Sequence, residues 1–61
     1  MSRKKILIVE DEISIARFMS SVLEKEGYRV IRAVTGAESL TIIDSHCPDL
    51  VILDLGLPDM D

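Results

Sequence analysis

Three carboxylates stand where two apolar runs of this sequence end. Glu10 and Asp11 follow the run that ends at Val9, and Asp54 follows the run that ends at Leu53. If the two runs are neighbouring strands of one parallel sheet, their carboxyl ends meet at one edge, where α/β folds bind ligands. Without a nearby Lys or Arg, the three carboxylates would repel each other unless a cation lay among them. Mg²⁺ accepts such an all-oxygen set, so a hard divalent ion is the predicted ligand.

Each acid also has a purely structural interpretation. Carboxylates at strand ends are often solvated, and Asp11 could be the N-cap of a following helix. For any one of these acids considered alone, the structural interpretation is favoured. Taken together, the doublet and Asp54 favour a site, because chance would have to place acids at the same edge twice. Glu12, Asp59 and Asp61 are interpreted as helix-dipole or solvated loop residues.

The other reactive side chains lack the partners that chemistry would need. His46 has no second metal ligand, and with Asp44 it is expected at the surface. Cys47 has no histidine partner that would make it a nucleophile and is expected to pack as a small apolar residue. No G-x-G-x-x-G or P-loop lysine pattern indicates nucleotide or flavin binding. No catalytic residue is predicted, and the chain is not expected to be an enzyme.

Three predicted strands carry these acids. The strands at about 4–10 and 50–54 contain continuous apolar runs, which are typical of strands buried on both faces of a parallel sheet. The strand at about 28–34 is interrupted by Arg29 and Arg32 and therefore suits a sheet edge.

A first helix is predicted at about 12–26, where apolar residues recur at helical spacing. Its apolar face is formed by Ile15, Phe18, Met19, Val22 and Leu23. Gly27 follows as a left-handed cap.

A second helix is predicted at about 36–45. Thr35 and Glu38 match a capping box at its start, and Pro48 prevents it from continuing. Its apolar stripe is formed by Ala37, Leu40 and Ile43. The order strand, helix, strand, helix, strand makes two βαβ units with a parallel sheet, so residues 1–61 are predicted to form one α/β unit.

Composition excludes several classes of protein. The 61 residues are 48% hydrophobic and 30% charged, which is too apolar for a disordered chain, and the apolar runs are too short to cross a membrane. Eleven acidic against seven basic residues give a net charge of −4, which disfavours direct contact with DNA. The single cysteine cannot form an internal disulfide, and the N-terminal apolar stretch is too brief for a signal peptide. The expected location is the reducing cytoplasm.

Two motifs resemble the N-terminal half of a bacterial two-component response-regulator receiver domain. The first is Val9-Glu10-Asp11-Glu12 after an apolar strand, and the second is the segment DLVILDLGLPD at residues 49–59. Their spacing fits the family over essentially the whole chain. The segment LDLGLPD at residues 53–59 resembles the corresponding segment of the winged-helix (OmpR/PhoB-like) branch of transcriptional regulators, and most closely that of the KdpE-type regulators.

The resemblance implies a flavodoxin-like (CheY-like), doubly wound parallel sheet and a role in signal transduction. Asp54 would be the phosphoacceptor for a sensor histidine kinase. Mg²⁺ would be the cofactor, bound directly by Asp11, through water by Glu10, and further by Asp54 and the backbone carbonyl of Gly56.

The resemblance also implies that a receiver continues for about as many residues again. The chain is therefore expected to be a fragment, impaired in phosphotransfer and switching, that reaches DNA only through an absent effector domain. In the family's strand order 2-1-3-4-5, the third strand would become an open apolar edge. We expect self-association into a homo-oligomer that completes the sheet. The alternative function is a structural, self-associating half-domain that retains no ligand.

Overall fold

The computed structural model describes residues 3–53 of the chain. Five elements follow one another in the predicted order. They are β1 (Lys5–Val9), α1 (Ile13–Lys25), β2 (Arg29–Ala33), α2 (Gly36–His46) and β3 (Leu50–Leu53). The predicted third strand extended to residue 54, which lies outside the described residues.

The three strands form one parallel sheet in the order β2-β1-β3. Lys5 is the register partner of Arg29, and Val9 is aligned with Ala33 on one side and Leu53 on the other. The α/β class and the βαβαβ arrangement are confirmed. The strand that carries the arginines lies at an edge, because β2 pairs with β1 alone among residues 3–53.

The core is built on β1, the central strand. Its four apolar residues, Ile6 to Val9, are all buried, as the continuous run predicted. Leu7 and Val9 pack with Ala33, and Ile31 and Ile42 cover this cluster. The residues of β3 are far more exposed than those of β1, because β3 pairs only with β1 within the described part of the chain.

Helix α1 has the predicted periodicity, but much of its apolar face is exposed. Ala16 is its only buried residue, whereas Phe18 is 71% exposed and Ile15 and Val22 are exposed as well. The helix packs along β2, so its apolar face extends over β3 and leaves an apolar cavity of about 170 Å³ there. Three of the five residues of the predicted apolar face are therefore exposed within residues 3–53.

The end of α1 follows the predicted left-handed cap. Gly27 has a φ of 93°, its amide donates to the carbonyl of Glu24 (3.0 Å), and the Tyr28 amide donates to the carbonyl of Leu23 (3.1 Å). These two bonds form a Schellman motif, which pairs the last free carbonyls of the helix. The chain thereby reverses into β2.

The start of α2 is capped as predicted, with one difference. The Glu38 amide donates to Thr35 Oγ1 (3.1 Å), while Glu38 Oε1 accepts from the amide of Val34 (2.9 Å), one residue before the cap. The side chains of Thr35 and Glu38 thus pair backbone groups at the turn between β2 and α2.

The predicted apolar stripe of α2 is not the face that packs on the sheet. Leu40 is 69% exposed and Ala37 is exposed, whereas Gly36 and Ser39 are buried and Ile42 packs on the core. Small residues permit the helix to approach the sheet closely, and Ser39 Oγ is satisfied by donating to the carbonyl of Gly36 (2.6 Å).

The end of α2 joins the sheet through polar contacts. Cys47 caps the helix in the left-handed region (φ 48°) and its side chain is exposed, so its predicted packing is wrong. Lys5 Nζ donates to the carbonyl of His46 (2.6 Å). The Lys5 amide donates to Asp49 Oδ2 (2.7 Å), and the Asp49 amide donates to the carbonyl of Lys5 (2.8 Å). These bonds fix where β3 begins beside β1.

Candidate functional site

The acid pair, Glu10 and Asp11, lies at the carboxyl end of the central strand. The Glu10 amide donates to the carbonyl of Ala33 (3.0 Å), which continues the β1–β2 ladder one residue beyond Val9. Glu10 is only 5% exposed, whereas Asp11 is exposed. Of the two adjacent acids, Asp11 therefore faces solvent and is the one accessible to a hydrated ion.

The structural interpretation of Asp11 as a helix N-cap is wrong. The N-cap of α1 is Glu12, and its own side chain makes no hydrogen bond to a free amide of the first turn. The Glu12 carboxylate instead accepts from Ser14 Oγ (3.1 Å). Asp11 thus precedes the cap and makes no capping bond.

A basic side chain lies beside the acid pair, contrary to the premise that none is near. Arg32 donates to the backbone carbonyl of Glu10 from Nε (3.2 Å) and from Nη2 (3.0 Å), and it is half-buried. Sequence reasoning placed Arg32 on an exposed edge. No local signal in the sequence would have found this contact, because it follows from the register, which aligns Arg32 with Ile8, two residues before Glu10.

The other predicted ligands, Asp54 and Gly56, lie outside the described residues. The strand that leads towards them is in its predicted place, because β3 is the parallel neighbour of β1 and Leu53 is the register partner of Val9. The sheet edge on which the magnesium prediction depends is therefore formed by β1 and β3.

The donor chemistry of the described acids fits a hard divalent ion, since carboxylates are the side chains that Mg²⁺ takes from proteins. Within residues 3–53 no group of three or more His, Cys, Asp or Glu side chains is arranged to hold a metal. His46 is exposed and its Nδ1 lies 2.8 Å from Ser45 Oγ. Because Lys5, at the start of β1, donates to the His46 carbonyl, His46 lies at the opposite end of the sheet from the acid pair.

Apolar residues line one side of the site. A cavity of about 290 Å³ lies between α1 and β3, and Glu10 lines it together with Ile8, Val9, Ile15, Met19 and Ile52. Charges beside such a surface interact more strongly than in water, because the local dielectric is lower.

No helix in residues 3–53 is both long and apolar enough to cross a membrane.

Comparison with known proteins matches residues 6–61 to the family described as response regulator receiver domain. The KDP operon transcriptional regulatory protein KdpE of Escherichia coli is 52% identical over 56 residues, which is 92% of this chain and 25% of that protein. Sporulation initiation phosphotransferase F of Bacillus subtilis is 43% identical over 61 residues, all of this chain and 49% of that protein. The chain thus spans between a quarter and a half of these relatives.

The fold is similar to that of a response regulator of known structure. The chemotaxis response regulator CheY4 of Vibrio cholerae superposes with a TM-score of 0.91 at 36% sequence identity. The superposition covers 97% of this chain and 49% of that one.

Proposed function

The chain belongs to the response regulator receiver domain family, and on this premise we propose that it accepts a phosphoryl group on Asp54 from a sensor histidine kinase, with Mg²⁺ as cofactor. One observation carries the proposal. The acid pair lies at the carboxyl end of β1, beside the parallel strand that leads to Asp54. Family membership and this placement support the same site.

The proposed step is a displacement at phosphorus. A carboxylate oxygen of Asp54 attacks the phosphoryl group of a phosphohistidine, the new P–O bond forms, and the P–N bond breaks. The imidazole nitrogen leaves with the electron pair and takes a proton from solvent. The chain is the acceptor of the group in this scheme and turns over no substrate of its own.

Each acid has a proposed part in binding Mg²⁺, which when bound neutralises charge on the phosphoryl oxygens. Asp11 is exposed and suits direct contact with the ion. Glu10 is buried, which suits contact through water. Asp54 and the carbonyl of Gly56 complete the proposed set.

We further propose that the whole protein is a cytoplasmic transcriptional regulator. KdpE of E. coli is a transcriptional regulatory protein by name, and this chain aligns with a quarter of its length. Any contact with DNA is assigned to an effector domain outside the 61 residues, because their net charge of −4 repels a phosphate backbone.

Phosphorylation of the chain by acetyl phosphate, followed by intact-mass measurement, tests the proposal. Because a fragment is expected to be impaired in phosphotransfer, we expect one phosphoryl group to be added to only a fraction of the molecules in the presence of Mg²⁺, and to none of them after chelation. Asp54→Asn should abolish the gain, while Asp44→Asn, a matched change on the exposed side of α2, should retain it. Phosphorylation of Asp54→Asn to the wild-type extent would refute the assignment of Asp54.

A second candidate function is the self-associating half-domain without a ligand. Leu50 is 55% exposed, Val51 and Leu53 are exposed as well, and β3 pairs with β1 alone among residues 3–53. An open apolar edge of this kind can pair with the β3 of another copy across a two-fold axis.

Sedimentation velocity at micromolar concentration tests this candidate. Self-association should be lost in Val51→Lys and retained in Leu40→Lys, which places the same charge at an exposed position on α2. A compact monomer at every concentration would rule it out.

A Mg²⁺ titration followed by NMR separates the two functions. Amide shifts at Asp11, Asp54 and Gly56 that disappear in Asp11→Ala support the phosphoacceptor site. The absence of shifts at millimolar Mg²⁺ supports the half-domain without a ligand.

A further inference from the structure

We propose that Arg32 is a positioning residue for the acid pair, and that it holds the backbone between Glu10 and Asp11 in the geometry that binds the divalent ion. The inference rests on the proposed function, since it assigns a further residue to the same site. Its basis is the pair of hydrogen bonds from Arg32 Nε (3.2 Å) and Nη2 (3.0 Å) to the Glu10 carbonyl.

The place of these bonds in the sheet gives them this role. β2 ends at Ala33, which accepts the amide of Glu10, so the Glu10 carbonyl lies just beyond the last residue of the neighbouring strand. The Arg32 side chain donates to that carbonyl and so continues the hydrogen bonding between β2 and β1 beyond the end of the strand. A guanidinium suits the task because its N–H groups form a rigid fork and it is always charged.

Fixing the Glu10 carbonyl also fixes Asp11. The peptide unit is planar, so the orientation of the carbonyl sets the direction in which the chain enters Asp11. On the other side, Glu12 is anchored as the N-cap of α1 and its carbonyl accepts from the Ala16 amide (3.1 Å). Asp11 is thus an exposed residue between two anchored neighbours, and ion binding need not order its backbone.

Arg32 also acts in the opposite direction through its charge. A guanidinium beside the site repels a divalent cation, and this repulsion is stronger at low ionic strength. Replacement of Arg32 therefore has two effects of opposite sign on Mg²⁺ affinity. The loss of backbone order is the larger effect, because replacement removes two direct hydrogen bonds to the Glu10 carbonyl, whereas the repulsion is screened by salt.

The matched control is Arg29, which lies on the same strand, is exposed and is aligned with Lys5 at the other end of β1. The experiment compares the 61-residue chain with its Arg32→Ala, Arg32→Lys and Arg29→Ala variants by NMR. Two quantities are measured: the Mg²⁺ dissociation constant, and the hydrogen exchange rate of the Glu10 amide without metal. The Gly27 amide serves as internal reference because it is bonded at the distant end of α1.

We expect Arg32→Ala to weaken Mg²⁺ binding about fivefold and to speed exchange of the Glu10 amide by a similar factor, with the Gly27 amide unchanged. Arg32→Lys should recover part of both, since one amine can still donate to the carbonyl. Arg29→Ala should change neither. A folded Arg32→Lys chain keeps the test informative if Arg32→Ala does not fold.

Two results would overturn the inference. Tighter or unchanged Mg²⁺ binding in the Arg32 variants would mean that charge repulsion dominates or that Arg32 is remote from the site. Unchanged exchange of the Glu10 amide would mean that Arg32 does not hold the backbone. If the wild-type chain binds no Mg²⁺, the proposed function fails, and the exchange rates alone decide whether Arg32 positions the acid pair.

Discussion

Two left-handed residues at helix ends allow a matched test of backbone strain. Gly27 follows α1 with a φ of 93°, and Cys47 follows α2 with a φ of 48°. A Cβ added at Gly27 would meet no atom within 4 Å, and the Cys47 side chain is exposed. Substitution at either position therefore changes the backbone energy with little change in packing.

The magnitudes follow from these conformations. A left-handed backbone costs an L-residue about 1–2 kcal/mol, and an alanine recovers about 0.4–1 kcal/mol by restricting the unfolded chain. Gly27→Ala should then lower the free energy of unfolding by about 1 kcal/mol. Cys47→Gly should raise it by about 0.5 kcal/mol, because glycine removes strain but loosens the unfolded chain.

Thermal unfolding followed by circular dichroism measures both changes. For a domain of this size, 1 kcal/mol corresponds to a shift in Tm of about 4–8 °C. Gly27→Ala should melt earlier than the wild-type chain and Cys47→Gly later. The reasoning is refuted if Gly27→Ala is as stable as the wild type, or if Cys47→Gly is the more destabilised of the two.

Three further predictions concern the caps, the helix face and the site. Thr35→Ala should lower the free energy of unfolding by about 1 kcal/mol in urea titration, because the Glu38 amide loses its cap; no change would mean that water replaces the hydroxyl. Ser39→Leu should lower the free energy of unfolding by about 1–3 kcal/mol through overpacking, whereas Leu40→Ser should change it by less than about 0.5 kcal/mol in the same assay. The opposite order would mean that Leu40, and not Ser39, packs on the sheet. Asp11→Asn should weaken Mg²⁺ binding at least about tenfold by calorimetry, and equal affinity in wild type and variant would remove Asp11 from the site.

The central strand shows how much of the fold could be predicted. A continuous apolar run is typical of burial on both faces, and Ile6 to Val9 are indeed buried. The similar run in β3 is exposed, because β3 pairs only with β1 among residues 3–53. The parallel sheet followed from the element order, because two βαβ units leave few alternatives. The capping residues Thr35 and Gly27 were also predictable, because caps are local interactions.

The helix faces could not be predicted in the same way. Periodicity shows that a face exists but not what covers it. On α1 the apolar face extends beyond the sheet and leaves Phe18 exposed. On α2 the close approach to β1 and β2 selected Gly36 and Ser39 over the larger apolar side chains.

The sequence by itself determined the family, the order of the elements and the position of the acid pair at a strand end, because these depend on neighbouring residues and local periodicity. Only the tertiary structure decided that Glu10 is buried while Asp11 is exposed, and that Arg32 binds the Glu10 carbonyl. Both depend on the register between β1 and β2, which brings Arg32 to the carbonyl of a residue 22 positions earlier in the chain. Register is set by how the apolar faces of neighbouring strands pack and by the connections between them, so the residues of one strand alone do not specify it.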